Sequence, residues 1–128
     1  MTNGGGPGII AADAAARYGL ELPPFSADLT ARLQAAIKRP VRINNPLDTT
    51  AGATAEEFET ILRMLAADTG IDAVLLIFLP LIASDTSDAE RAVRSVAPVF
   101  YEKGKPLLAC FLGKRGSEAA LEFGGKFV

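Results

Sequence analysis

The sequence predicts an α/β fold in which helices cover both faces of a mostly parallel sheet. Residues 73–79 and 106–112 are continuously apolar, which is typical of strands buried on both faces of a parallel sheet. Amphipathic helical patterns separate these runs, and alternating strands and helices predict a doubly wound architecture. With 128 residues, 49% of them hydrophobic, the chain 1–128 is expected to form one domain with its own core.

Glycine and proline delimit the elements of the first quarter. Alanine-rich residues 9–18 follow a glycine loop and predict a helix that ends at Gly19. Leu20–Leu22 is a short strand candidate, ended by tandem prolines. Ser26 is the expected cap of a second helix, which ends at Pro40 and has one apolar face consisting of Leu29, Leu33, Ala36 and Ile37.

The middle of the chain predicts a loop followed by a long helix. Residues 41–43 are a short extended piece that leads into 44–52, a structured loop rich in turn-forming residues. Thr54 and Glu57 have the spacing of a capping box. The third helix that they open runs to Gly70, with one apolar face consisting of Phe58, Ile61, Leu62 and Leu65.

The same unit of strand and helix repeats after residue 79. Ser87 and Glu90 form a second predicted capping box, and the helix reaches about Gly104, with Pro98 expected to kink or shorten it. Ser117 is the expected cap of a short final helix, and residues 126–128 are a last strand candidate. The ligand crevice of such a sheet lies beyond the carboxyl ends of its strands, which predicts that four loops meet there: 3–8, 44–53, 80–87 and 113–117.

The first strand of this sheet is expected to be truncated or lost. A glycine loop that opens a helix normally follows a strand, yet only Met1 and Thr2 precede it. We therefore expect a sheet that is under-stabilised or that pairs with a second copy as a homodimer. A monodisperse, heat-stable monomer would contradict this expectation.

Composition excludes several classes of function. Without histidine the chain has no Ser-His or Cys-His nucleophile pair, no imidazole metal ligand and no phosphohistidine of its own. A net charge of −2 without long basic clusters argues against nucleic-acid and anionic-membrane surfaces. The single cysteine, the lack of a signal peptide and the interruption of the most apolar run by Pro80 predict a soluble, cytoplasmic protein.

The segment Thr2–Gly8 is the strongest candidate site. Its glycines allow backbone N–H groups to converge, and the following helix adds the positive end of its dipole, so Gly4, Gly5, Gly6 and Gly8 predict an anion cradle suited to phosphate. The dinucleotide fingerprint fails at Ile9, and no Lys-Ser/Thr pair completes a P-loop. The alternative is a flexible turn without a ligand.

Other candidates have simpler structural interpretations. Asn45 and Asp48 lie in a turn, and could alternatively orient the glycine loop or hold a ligand hydroxyl. Cys110 is interpreted as a small core residue. The acidic pairs at 56–57 and at 85 and 88 complement helix dipoles. The aromatic residues Tyr18, Phe58 and Tyr101 are expected in the core or at its edge rather than as stacking platforms.

The order of motifs resembles a known family. The order of segments resembles that in the CoA-ligase module of NDP-forming acyl-CoA synthetases: Thr2–Gly8, Ala11–Asp13, Leu20–Leu22, the loop Asn45-Pro46-Leu47-Asp48, Gly52–Thr54 and Asp72–Leu75. The chain is also similar to the carboxy-terminal domain of the succinyl-CoA synthetase β subunit. The resemblance implies a flavodoxin-like, three-layer fold.

This resemblance also implies a mechanism. In the family, ATP or GTP phosphorylates a histidine on a partner domain or subunit, and the phosphohistidine loop swings to a site where two glycine-led helices hold the phosphate. Asn3 matches a substrate-contacting asparagine, and Gly4, Gly5 and Gly6 match the phosphate-facing helix start. Asp13 lies further along that helix in a structural position. Pro80, Leu81 and Ile82 match a substrate-contacting turn that is glycine-rich in the succinate enzymes. Leu79-Pro80 replaces those glycines here, so the resemblance does not extend to backbone contact with a succinate-like carboxylate.

The resemblance leaves this chain dependent on partners. It implies an ATP-grasp domain, a CoA-binding domain and a His-bearing CoA-ligase module, in cis or in trans, with ATP/ADP or GTP/GDP, phosphate and CoA used by the complete enzyme. The first hypothesis is therefore a phosphate-binding module without catalytic residues or a metal of its own. The second is a docking or assembly module with a vestigial phosphate loop. A third, flavin or dinucleotide binding, rests on fold analogy alone.

Overall fold

The computed structural model describes residues 1–80 and 86–112. The described elements, in chain order, are α1 (Gly5–Arg17), α2 (Ala27–Ala36), α3 (Ala55–Ala67), β1 (Val74–Phe78), α4 (Thr86–Glu102) and β2 (Leu107–Phe111). The predictions for Leu81 and Ile82, for the loop 113–117, for the helix at Ser117 and for the strand at 126–128 lie outside the described residues.

The sheet is parallel, as predicted. β1 pairs with β2 in parallel register, from Val74 opposite Leu107 to Phe78 opposite Phe111. Thr2 makes parallel bridges to Asp48 on one side and to Ile77 on the other. Thr2 therefore lies in the middle of the sheet, between the loop that contains Asp48 and β1.

The core lies between one face of the sheet and helices α2, α3 and α4. Val74, Leu76 and Phe78 point into it from β1. The predicted apolar faces of the second and third helices are confirmed: the fully buried residues include Leu29, Leu33, Ile37, Phe58, Ile61 and Leu62. The predicted caps are also present, since Ser26 Oγ accepts a hydrogen bond from Leu29 N–H and Thr54 Oγ1 accepts one from Glu57 N–H.

The prediction that both faces of the strands are buried is wrong for the described residues. Side chains of β1 alternate between buried and exposed, and Leu75 is 43% exposed. Leu108 on β2 is 44% exposed, and Cys110 is exposed rather than a core residue. Helices α2, α3 and α4 cover one face of the sheet. Alternate strand residues, such as Leu75 and Leu108, point to the other face.

Several element boundaries also differ from prediction. Residues 20–22 form no strand, because Leu20 and Leu22 are exposed and pair with nothing in the described sheet. α2 ends at Ala36, before Pro40. α4 is described from Thr86, with Ser87 in its first turn, and it continues through Pro98 to Glu102. The capping box predicted at Ser87 stays a prediction. Phe58 is buried as expected, whereas Tyr18 and Tyr101 are more than four-fifths exposed.

Candidate functional site

The first helix begins inside the glycine segment rather than after it. α1 starts at Gly5, and Gly4 precedes it in extended conformation, with φ −165° and ψ 136°. No side chain caps this helix start and no acidic residue occupies its first turn. Gly5 and Gly6 are exposed, so the unpaired N–H groups of the first turn and the positive end of the dipole face solvent.

Asn3 fixes this helix start to the end of β1. Its side chain is 1% exposed. Nδ2 donates to the Leu79 carbonyl and Oδ1 accepts from the Leu79 N–H, both at 2.8 Å. These two bonds hold the turn before Pro80 beside the glycines. The structure therefore gives Asn3 a positioning role, and its predicted contact with a substrate stays a prediction.

Asp48 lies beside the glycine segment. A Cβ atom at Gly5 would lie 3.3 Å from Asp48 Oδ2, which is a close approach that favours glycine at this position. The other carboxylate oxygen accepts a hydrogen bond from Thr50 N–H at 2.8 Å. This bond supports the left-handed conformation of Thr50, whose φ is 61°. The predicted meeting of loops 3–8 and 44–53 is confirmed at this contact.

Asn45 and Gly8 serve other contacts. Asn45 Nδ2 donates to the Pro23 carbonyl at 3.1 Å, so this side chain holds the segment that follows α1 instead of the glycines. Gly8 is buried within α1, and a Cβ there would lie 3.3 Å from Thr2 Cγ2 and 3.7 Å from Pro46 Cβ. Close packing of α1 on the sheet explains this glycine. The predicted role of Gly8 in phosphate binding is untested.

Sequence reasoning missed the residues that hold the Asp48 loop. Arg39 Nε donates to the Thr49 carbonyl at 3.0 Å and to Thr50 Oγ1 at 3.1 Å. Arg39 Nη1 also pairs with Glu57 Oε2 at 2.6 Å. Glu57 was expected to complete the capping box, but it pairs with the guanidinium, and its Oε1 is buried without a hydrogen-bond partner.

Thr2 and Thr49 join the loop to the first strand. Thr2 N–H donates to the Leu47 carbonyl, and the Thr2 carbonyl accepts from both Thr49 N–H and Thr49 Oγ1. Both threonines are almost completely buried. A buried polar residue can be recognised within an apolar strand pattern. Met1 and Thr2 are too few residues to show such a pattern, so the sequence did not identify Thr2.

The start of α1 presents backbone hydrogen-bond donors, and no side chain caps it. Within residues 1–80 and 86–112 no cluster of three or more carboxylate or thiol side chains could hold a metal ion. Within the same ranges, none of the helices has the length and apolar character required to cross a membrane. What the site offers is backbone N–H groups of a helix start, at the carboxyl edge of a parallel sheet.

Comparison with curated proteins gives two related synthetases. Acetate–CoA ligase (ADP-forming) I of Archaeoglobus fulgidus is 34% identical over 113 residues, which cover 88% of this chain and 15% of that protein. Subunit alpha of acetate–CoA ligase (ADP-forming) II of Pyrococcus furiosus is 33% identical over 125 residues, covering 95% of this chain and 27% of the subunit. The chain thus spans less than a third of the length of either relative.

Solved structures share the fold. A crystal structure of a Pyrococcus horikoshii protein superposes with a TM-score of 0.75 at 30% identity, covering 95% of this chain and 28% of that one. The dinucleotide-forming acetyl-coenzyme A synthetase 1 of Candidatus Korarchaeum cryptofilum, in complex with phosphate and ADP, has a TM-score of 0.77 at 21% identity, covering 94% and 25%. The flavodoxin-like α/β fold is consistent with both neighbours.

The family model for the Ligase-CoA domain matches residues 1–125. The chain therefore belongs to the Ligase-CoA domain family, the CoA-ligase module of NDP-forming acyl-CoA synthetases.

Proposed function

We propose that the start of α1 binds the phosphoryl group carried by a partner's phosphohistidine during interconversion of acyl-CoA and acyl phosphate. The observation that carries this proposal is the uncapped, solvent-facing helix start at Gly5 and Gly6. Such an end binds anions through its free N–H groups and its dipole. The hydrogen bonds of Asn3 to Leu79 hold these donors in place before the anion arrives.

The charge of Asp48 determines where a phosphate fits. Its carboxylate lies beside Gly5, and two negative groups in contact repel each other. Among residues 1–80 and 86–112, no heavy atom lies within 4 Å of a Cβ placed at Gly6, so no described residue blocks this side of the helix start. We therefore propose that the phosphate binds over Gly6, with Asp48 on the far side of Gly5.

The proposed contribution is electrostatic. The chain contains no histidine, so the phosphorylated residue belongs to a partner module. Fixed N–H donors stabilise negative charge on the transferring phosphoryl group without having to reorganise. Both curated relatives are ADP-forming ligases of several-fold greater length, and we propose that ATP-grasp, CoA-binding and His-bearing units supply nucleotide, CoA and phosphohistidine. The isolated chain is then inactive.

A phosphate titration followed by amide resonances tests the proposal. The resonances of Gly5 and Gly6 should shift in a saturable manner at millimolar phosphate, while chloride at the same ionic strength should leave them unchanged. Resonances that do not respond at tens of millimolar phosphate would contradict the proposal.

A pair of variants at Gly5 isolates the contribution of one N–H donor. Gly5 is the first helical residue, where proline is well tolerated, and extended Gly4 is compatible with a following proline. Gly5→Pro removes the N–H, whereas Gly5→Ala retains it and adds the same Cβ atom. Phosphate should bind Gly5→Pro about tenfold more weakly than Gly5→Ala, since a hydrogen bond to a charged group contributes about 1.5–3 kcal/mol. Equal phosphate affinities of the two variants would show that the Gly5 N–H does not bind the phosphate.

A second candidate function is docking against a sister module. α1 exposes Ile9 and Ile10, which are 68% and 71% exposed, one turn beyond the glycines. Ile10→Lys should abolish co-purification with a His-bearing CoA-ligase module if this helix face is the contact. If docking persists in Ile10→Lys and phosphate still shifts the glycine resonances, the phosphate-binding function stands and the docking surface lies elsewhere.

A further inference from the structure

The first turn of α1 offers few backbone donors to an anion. Pro7 has no N–H, and the Gly4 N–H donates to Thr2 Oγ1 at 3.3 Å. The N–H groups of Gly5 and Gly6 remain, since the first residues of a helix have no intrahelical partner. Two donors satisfy only part of a tetrahedral oxyanion, so the neighbouring side chains decide which anion fits.

Asp48 is the charged neighbour of these donors. Its Oδ2 atom lies 3.3 Å from a Cβ placed at Gly5. Its Oδ1 atom accepts from the Thr50 N–H at 2.8 Å, and its backbone is bridged to Thr2. These contacts hold the carboxylate beside the helix start, with one oxygen committed to the loop and the other on the side of Gly5.

The second carboxylate oxygen is an acceptor that lacks a donor. In the part of the chain that the structure describes, Asp48 Oδ2 accepts no hydrogen bond and Asp48 forms no ion pair with Lys or Arg. The guanidinium of Arg39 pairs with Glu57 instead. An ionised carboxylate oxygen attracts a hydrogen-bond donor and repels another ionised oxygen.

Phosphate and sulfate differ in this respect, although both are tetrahedral oxyanions. At neutral pH phosphate keeps at least one proton on oxygen, whereas sulfate keeps none. A phosphate can therefore hold its ionised oxygens over Gly6 and turn its P–O–H toward Asp48 Oδ2. Such O–H···O⁻ bonds are short, about 2.5–2.7 Å, and roughly twice as strong as neutral ones. Sulfate presents only acceptors to the carboxylate and is repelled.

We infer that Asp48 makes this site selective for a protonated phosphate, because its free oxygen accepts the P–O–H and rejects oxyanions that carry no proton. The inference rests on the proposed binding of phosphate at the helix start and adds the residue that sets its specificity. The ligand is free inorganic phosphate, which conversion of acyl-CoA to acyl phosphate and CoA consumes. The contact is a hydrogen bond, in which no covalent bond forms or breaks.

Three anions test this selectivity on the unchanged full chain. Phosphate, sulfate and monofluorophosphate are titrated separately at neutral pH and equal ionic strength, and the amide resonances of Gly5 and Gly6 are followed. Monofluorophosphate has fluorine in place of the hydroxyl group, so it cannot donate to Asp48. Phosphate should bind at least about tenfold more tightly than either of the other anions, as one hydrogen bond to a charged group provides.

The variant Asp48→Asn tests the carboxylate itself. Asn Oδ1 can still accept from the Thr50 N–H, which places its amide nitrogen where Oδ2 lay. That nitrogen donates to sulfate and cannot accept the P–O–H. Sulfate should therefore bind about tenfold more tightly than to the unchanged chain, and the preference for phosphate should disappear.

Asp72→Asn is the matched control. Asp72 is exposed and precedes β1, so the variant makes the same change of charge at the opposite end of that strand. It should leave both affinities within about twofold, since solvent and salt screen exposed charges at this separation. A change of selectivity as large as that of Asp48→Asn would attribute the effect to net charge and overturn the inference.

The remaining outcomes separate this inference from the proposed function. Equal affinities of the unchanged chain for phosphate, sulfate and monofluorophosphate would overturn the inference while phosphate binding at the helix start stands. A preference for phosphate that persists in Asp48→Asn would assign selectivity to another group and would also overturn it. If none of the anions shifts the resonances of Gly5 and Gly6, the proposed function fails and the inference fails with it. The comparison of anions on the unchanged chain does not depend on the folding of a variant.

Discussion

The two ends of the central segment Met1–Thr2 are held in different ways. At the carboxyl end, Thr2 bonds the Leu47–Thr49 loop and Asn3 bonds Leu79, so two loops are tied to the glycine helix start. At the amino end, Met1 bonds β1 through its amine and its carbonyl, and it borders a groove of about 620 Å³. The comparison shows that the site edge is organised by buried polar side chains and that the opposite edge depends on strand pairing.

Among these variants, removal of the Asn3 side chain, at the carboxyl edge of the sheet, should cause the largest loss of unfolding free energy. Asn3→Ala removes a buried side chain and both of its hydrogen bonds to the part-buried backbone of Leu79, which should cost about 2–4 kcal/mol of unfolding free energy. Urea denaturation measures this loss. Asn44→Ala is the matched control, because Asn44 is exposed, and it should change stability by less than about 0.5 kcal/mol. Similar losses in both variants would remove the distinction between the two asparagines.

Arg39 should rank second, because it ties the Asp48 loop to α3. Arg39→Ala removes bonds to Thr49 and Thr50 and leaves the largely buried carboxylate of Glu57 without its cation. We expect a loss of about 1–3 kcal/mol in unfolding free energy and weaker phosphate binding, since the loop beside Gly5 is no longer fixed. The control is Arg42→Ala, at an exposed arginine three residues away. A smaller loss for Arg39→Ala than for Arg42→Ala would contradict the positioning role.

The amino edge should respond to pH. In a chain that begins at Met1, the pKa of the amine is near its ordinary value of 8.0 when unfolded and about 6 when folded, lowered by burial. Between these values the unfolded chain binds more protons, so stability is fully present above pH 8 and is lost as pH falls to 6. The loss should reach about 1–2 kcal/mol.

Histidine makes no contribution between pH 6 and 8. The chain has no histidine, so no side chain of ordinary pKa titrates between pH 6 and 8. Acetylation of the Met1 nitrogen removes the titrating group, and the acetylated chain should show a flat profile over the same range when thermal unfolding is followed by circular dichroism. A slope that survives acetylation would mean that another group is responsible.

The smallest effect should come from Gly6. Alanine there meets no atom within 4 Å and lies in the first turn of α1, so Gly6→Ala should stabilise the fold by about 0.5 kcal/mol through its higher helix propensity. Gly19 is equally unobstructed but has a φ of 71°, and Gly19→Ala should cost about 1 kcal/mol because of backbone strain. Thermal unfolding of the two variants should give Tm shifts of opposite sign, and shifts of the same sign would refute this assignment.

Much of the helical framework could be predicted from local patterns. The spacing of Leu29, Leu33 and Ile37 identifies a buried helix face, and Ser26 and Thr54 mark helix starts, because these signals operate within one or two turns. The glycine segment could be recognised as the approach to a helix for the same reason, and its anion-binding role stays a prediction. The exposure of Leu75, Leu108 and Cys110 could not be predicted, since it depends on which helices cover which face of the sheet.

The sequence by itself determined the parallel α/β class, the glycine-led helix and the family. Only the tertiary structure decided how these parts are joined. Asn3 bonds Leu79, 76 residues away in sequence. Arg39 bonds Thr49 and Glu57, which are 10 and 18 residues away. Partners of this kind are set by how helices and strands pack, because a buried polar group bonds whatever donor or acceptor the fold places beside it.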